Sequence, residues 1–289
     1  MNSIANPTRL DRDVAGEMAI SRRIAAGAAT VLATAIFTLL IISFRPFQPA
    51  GAELEGGGDL LNQLGFGALG ALALFGLLTL VDRRVVAALV SPWWLLLIAF
   101  LGVSVLTAAS PPDAMRGVLF TLIGMLAIAA VLALPADAER FSAMLATTAL
   151  IILALNYYGI FFKPTVAIHG SAGVEPQHAG LWRGSFTHKN AAAPVMAFLC
   201  VTGIYLWRRR WRGIGILAVI FLAKTGSKTA LGALPLTIFL VLLPSICGLR
   251  FLTPALVLAA VIGMGLATLG IVFIEPLSSL HQALAPDLT

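Results

Sequence analysis

Nine stretches of the chain run free of charged residues: 24–43, 64–81, 85–112, 117–136, 141–162, 191–207, 213–223, 229–249 and 251–274. A helix that crosses a hydrocarbon core about 30 Å thick takes about 20 apolar residues, and every run but one is long enough to be read as a crossing. The run 85–112 exceeds one straight crossing and carries Ser91-Pro92 near its start, which places its helix at about 92–109. The exception, 213–223, rises only about 17 Å as a helix. It is closed by Arg212 and Lys224, so one charged end has to be accommodated within the apolar slab. Trp207, Arg208, Arg209, Arg210, Trp211 and Arg212 read as an interfacial anchor with snorkelling arginines, which moves that accommodation toward Lys224. The expectation is an all-α, polytopic helical bundle of about nine membrane helices.

Composition agrees with this pattern and removes the alternatives. Hydrophobic residues make up 59% of the 289 positions and charged residues 11%, too few to coat a water-soluble globule of this size. Two cysteines, Cys200 and Cys247, lie in apolar runs and read as packing residues. The positive-inside rule sets direction. With the N-terminus cytoplasmic, Arg45, Arg116, Lys163, Arg183, Lys189, Lys224 and Lys228 fall outside, and the other twelve of the 19 basic residues fall inside. The net charge of +6 is therefore mostly topology, and basic residues scattered over loops do not make a nucleic-acid stripe. The division expected is a cytoplasmic tail over 1–23, a membrane domain over 24–274 with an outer loop at 163–189, and a periplasmic segment over 275–289. Gly56, Gly57 and Gly58 read as a flexible outer connector.

Candidate chemistry gathers on the outer side. The loop 163–189 holds His169, His178, His188, Arg183 and Lys189, and it leads directly into the helix 191–207, where Thr187 or Asn190 is placed to cap free N–H groups. A helix N-terminus flanked by two cations suits a phosphate or diphosphate. Lys224 and Lys228 stand four apart around Gly226-Ser227 and would share a face if the segment stays helical. Like charges at that spacing repel unless an anion lies between them. The segment lacks both the GxxxxGK spacing and the preceding strand of a P-loop. Arg116, after Ser110-Pro111-Pro112-Asp113, adds a fifth outer cation. No nucleophilic triad can be assembled, and His169 and His178, nine apart, match no standard metal-ligand spacing. No metal or other cofactor is expected.

The stretch Trp182-Arg183-Gly184-Ser185-Phe186-Thr187-His188-Lys189-Asn190 resembles the RG-x-F-x-HKN signature of the O-antigen ligase and exopolysaccharide polymerase superfamily of bacterial membrane glycosyltransferases. Thr225-Gly226-Ser227-Lys228-Thr229-Ala230-Leu231 resembles that family's SGS-[RK]-T-A-L segment. Ser110-Pro111-Pro112 followed by Arg116 resembles its S-x-x-P…R turn, and order and spacing fit over about 90–275. The resemblance implies a GT-C-like, metal-independent enzyme of the bacterial inner membrane with its active face periplasmic. Such an enzyme moves a glycan from undecaprenyl diphosphate to a hydroxyl on lipid A-core or on a growing polysaccharide. It further implies diphosphate binding by Arg116, Arg183, Lys189, Lys224 and Lys228, and substrate positioning by His188, Asn190 and Ser227. Members continue with a periplasmic loop that carries the general-base histidine. This chain stops at Thr289, so the expectation is a truncated form, inactive by itself, whose catalytic base lies beyond that residue. The competing expectation is a non-catalytic transporter or scaffold that binds a lipid-linked anionic glycan.

Overall fold

The computed structural model describes residues 9–42, 44–48, 60–90, 92–171, 176–209, 211–247, 251, 254–256, 258–260, 262 and 263. The fold is almost entirely helical, with no strand among the described residues. The helices are α1 (Arg9–Ile41), α2 (Leu60–Leu80), α3 (Arg83–Leu89), α4 (Pro92–Leu106) and α5 (Pro111–Ala133). They continue with α6 (Ala138–Phe162), α7 (Pro164–Ala167), α8 (Lys189–Tyr205), α9 (Arg212–Thr225) and α10 (Lys228–Cys247). The expected span 251–274 lies largely outside the described residues, as do the tail 275–289 and Gly56 to Gly58.

Polar residues punctuate the helices where backbone groups need partners. Asp137 starts α6 by accepting the Arg140 N–H at 2.8 Å, Asp82 starts α3 by accepting that of Arg84 at 2.8 Å, and Pro111 occupies the first position of α5. Among the described residues, four helices are long and apolar enough to cross a membrane: Ile20–Ile41 of α1, α2, α5 and α6. The count is five if α3 and α4, bent by 48° at their junction, form one broken span. Trp93, Leu95 and Leu106 of α4 are 75%, 72% and 82% exposed, a surface suited to lipid and unsuited to water.

The chain divides into two compact units, Met1–Ser227 and Lys228–Thr289. In the first, α6 is central: half of its span residues are buried, against 17% in α1 and α5. It packs on α1, α8 and α9, and Thr38 of α1 donates to Thr148 of α6 at 3.3 Å. Small residues allow close helix approach, as membrane packing favours. Gly70 of α2 faces Ile123 of α5, and Gly203 of α8 faces Gly215 of α9.

The short run legible in sequence is α9, which at 14 residues rises about 21 Å. It pairs with α8 as a hairpin turned at Trp207–Arg209. The last residues of α6 and α9, the first residues of α8 and the segment 44–48 just after α1 all meet the loop 163–188. This convergence positions the candidate site. In the second unit, α10 begins at Lys228, which is exposed.

Candidate functional site

The loop after α6 folds on its own backbone. Lys163 ends α6, Pro164 opens the single turn α7, and the chain then pairs antiparallel with itself through a bridge between Ile168 and Trp182. The His169 N–H donates to the Leu181 carbonyl at 2.9 Å, and the Gly180 N–H returns to the His169 carbonyl at 2.8 Å. The amides of Arg183 and Gly184 both donate to the Ala167 carbonyl, each at 2.9 Å. Two outside contacts fix the loop. The Trp182 N–H reaches the Lys224 carbonyl at the end of α9 at 3.0 Å, and the Phe47 N–H reaches the Ser185 carbonyl at 3.1 Å.

The turn Arg183-Gly184-Ser185-Phe186 is shaped by a residue that sequence reasoning did not single out, Asn156. This fully buried side chain of α6 donates to the Ile152 carbonyl at 2.8 Å, while its Oδ1 accepts the Ser185 amide at 2.9 Å and the Ser185 hydroxyl at 3.2 Å. An asparagine inside the apolar run 141–162 is the available signal, because an amide in such a run demands partners. Substituting Asn156→Leu leaves two buried donors of Ser185 without an acceptor, at a cost of about 1–3 kcal/mol. A thermal melt of the detergent-purified chain is expected to record the loss, and Asn156→Asp, which keeps the acceptor oxygen, is expected to recover part of it.

Arg183 is 3% exposed. Its Nη1 donates to the Thr187 carbonyl at 2.7 Å, and its buried Nε has no hydrogen-bond partner among the described residues. No carboxylate pairs with it among the described residues. Burial lowers its pKa below the ordinary arginine value, yet a guanidinium stays protonated in proteins. A buried cation with an unused donor and no counterion is costly unless an anion completes it. Lys189, which begins α8, is also buried at 9% exposure.

Between these two cations in sequence, His188 caps α8. Its Nδ1 accepts the Asn190 N–H at 3.1 Å, so in the neutral ring the proton sits on Nε2. The cap is neither Thr187 nor Asn190, as the sequence suggested; an imidazole nitrogen does the work of the usual side-chain oxygen. His188 also joins two further histidines. Ring centroids lie 5.2 Å apart for His169 and His188, 5.6 Å for His178 and His188, and 5.8 Å for His169 and His178. The pairing of 168–169 with 181–182 is what brings residues so separated in sequence together. Among the described residues, no three His, Cys, Asp or Glu side chains are arranged to hold a metal ion.

The remaining expected cations are placed differently. Arg116 pairs with Asp113 at 3.4 Å on the first turn of α5, a helix that packs mainly on α1, α2, α3 and α4. Lys224 is exposed, and its contribution to the loop is its backbone carbonyl. Gly226, at φ +62°, ends α9 in the left-handed conformation, so Lys224 and Lys228 do not share one continuous helix face. Lys228 belongs to the second compact unit. Ser227 is buried, with its amide on the Thr225 hydroxyl at 3.3 Å, and the Asn190 side chain is exposed. Phe186 is buried, and Trp182 meets Tyr157 and Phe221 edge to face.

Arg183, His188, Lys189 and the first turn of α8 thus lie on one continuous stretch of chain in which both cations are buried, a combination suited to an anion. No family model matches the chain, and neither does any curated protein or solved structure.

Proposed function

We propose that this segment binds the diphosphate of a lipid-linked glycan at the periplasmic face of the bacterial inner membrane, within a bundle of about nine spans of GT-C-like design. The single observation that carries the binding reading is the buried Arg183 guanidinium, whose Nε lacks a partner, and whose charge lacks a carboxylate, among the described residues. The motif around it, with its resemblance to O-antigen ligases and exopolysaccharide polymerases, supports transfer as the purpose of binding. In that transfer an acceptor hydroxyl attacks the anomeric carbon, the bond from that carbon to the diphosphate oxygen breaks, and the diphosphate departs with the bonding pair. Arg183 and Lys189 stabilise the charge that grows on the leaving group, while a base takes the hydroxyl proton. Lys224, Lys228 and Arg116 contribute at most a general positive field, because each is exposed or already paired.

The full chain in lipid nanodiscs tests this with undecaprenyl diphosphate as the titrant. Removing one partner of a buried charged contact costs about 2–5 kcal/mol, so Arg183→Gln is expected to weaken binding by about 30-fold or more. Arg183→Lys is expected to recover only part, since an ammonium lacks the planar fork. Arg116→Gln is expected to stay within about twofold, the scale of a surface ion pair. Binding that survives Arg183→Gln unchanged would remove the proposal.

A further inference from the structure

The segment 44–48 just after α1 has no part in the sequence motif, yet it is pinned at both of its phenylalanines. The Phe44 ring lies where Gly65 of α2 would carry a Cβ and meets Phe66 edge to face at 5.6 Å. The Phe47 ring lies where Gly159 of α6 would carry one, meets Tyr158 at 6.4 Å, and sits beneath the Lys163 ammonium at 5.3 Å. Each ring is therefore a peg in a notch that exists because a glycine is there.

At the second peg the backbone is strained. Among the described residues, Phe47 alone of those that are not glycine has a positive φ, +66°, a conformation that a bulky side chain disfavours and that persists only when its surroundings over-determine it. That conformation accompanies an amide bonded to the Ser185 carbonyl, in the turn that carries Arg183. The sequence of causes is local. The glycine notch seats the ring, the seated ring holds the strained backbone, and the strained backbone presents the N–H to Ser185.

We propose that Phe44–Gln48 is a clamp on the anion site and that Phe47 is a positioning residue, acting on the ligand through Ser185 and the Arg183 turn. Its binding readout rests on the function proposed above; its conformational readout does not. The strain gives the clamp a signature that ordinary packing lacks. Phe47→Ala loses the ring and keeps the unfavourable φ, whereas Phe47→Gly loses the ring but tolerates the φ. Alanine is therefore expected to open the clamp further than glycine. A residue that only filled space would give the opposite order or none, because glycine is the smaller and the more flexible.

The experiment is hydrogen exchange by mass spectrometry on the full chain in nanodiscs, read at peptides covering 183–187, with inorganic pyrophosphate titrated in parallel. Exchange at 183–187 is expected to quicken about tenfold or more in Phe47→Ala, less in Phe47→Gly, and not at all in Phe47→Tyr. Pyrophosphate affinity is expected to fall in the same order. If Phe47→Ala does not accumulate, Gly159→Ala evicts the same ring while leaving residue 47 unchanged, with a lesser contact at 3.1 Å on the Ala167 Cβ, and is expected to give the same local loosening. Wild-type exchange at 183–187 in the Phe47→Ala or Gly159→Ala chain overturns the clamp. Faster exchange with unaltered pyrophosphate affinity overturns the positioning role. If the wild-type chain binds no pyrophosphate while the exchange order holds, the functional reading fails and the clamp stands.

Discussion

Gly184→Ala is expected to disable the proposed anion site more completely than removal of any single cation. Gly184 has a φ of +62° and has Phe221 Cζ 2.9 Å from where a Cβ would be, with Asn156 Oδ1 in direct conflict with that position. Left-handed backbone costs a residue with a Cβ about 1–2 kcal/mol, and overpacking adds about 1–3 kcal/mol. Nor does the obstruction fall on a flexible tip. Asn156 is held by Ile152 on one side and by Ser185 on the other, so displacing it undoes the bonds that shape the turn. The expected outcome is destabilisation of about 2–5 kcal/mol in a thermal melt, together with diphosphate binding too weak to measure in the nanodisc titration. Gly180 provides the control. It too is left-handed, at φ +82°, but its Cβ would meet nothing within 4 Å, so Gly180→Ala is expected to carry the backbone cost alone and to leave binding measurable. Equal effects at the two glycines would mean that Asn156 does not shape the turn.

What made parts of this site legible in the sequence is the nature of the signals. Charge-free length translates almost directly into helix, which is why α2, α5 and α6 lie close to where the apolar runs place them, and why α9 was expected to be short. The turn from Arg183 to Asn190 could be singled out because cations, a glycine and polar caps seldom gather at the mouth of an apolar run. Partnership across the fold was harder to read. Asn156 is visible as a polar residue in a membrane helix, but Ser185 stands 29 positions away, and nothing local couples them. The three histidines meet only because the chain between Ile168 and Trp182 doubles back on itself, an event no spacing rule encodes.

The placement of two sets of cations has causes that local chemistry does contain. The spacing of Lys224 and Lys228 suggests a shared face only for an unbroken helix. Gly226 is a helix terminator when it takes the left-handed conformation, as it does here with the Leu181 side chain 2.9 Å from where its Cβ would be. For Arg116, Asp113 three residues earlier is a neighbour on the same helix surface, and a local carboxylate satisfies the guanidinium without any ligand. Arg183 differs because nothing acidic accompanies it in the turn. The contrast between these two arginines is what gives Arg183 the leading part in the proposed site.

The site also depends on an interface that touches none of its functional side chains. The α8–α9 hairpin delivers Lys189 at one end and the Lys224 carbonyl at the other, and its two helices approach most closely where Gly203 faces Gly215. The two glycines are not equivalent. A Cβ on Gly203 would collide with the Gly215 backbone, whereas a Cβ on Gly215 would stand 3.4 Å from Gly203 Cα, an ordinary contact. Backbone cannot swing aside as a side-chain tip can, so Gly203→Ala is expected to force the helices apart and cost about 2–4 kcal/mol through lost packing around the crossing. Gly215→Ala is expected to stay within about 1 kcal/mol, since the added methyl group fills space already available. Melting the two variants side by side in one detergent checks the ordering. Hydrogen exchange at the Trp182 amide is expected to quicken in Gly203→Ala alone, because that amide is bonded to the end of α9 and follows the helix when it shifts. A Gly215→Ala chain as unstable as Gly203→Ala would show that the crossing is tight from both sides.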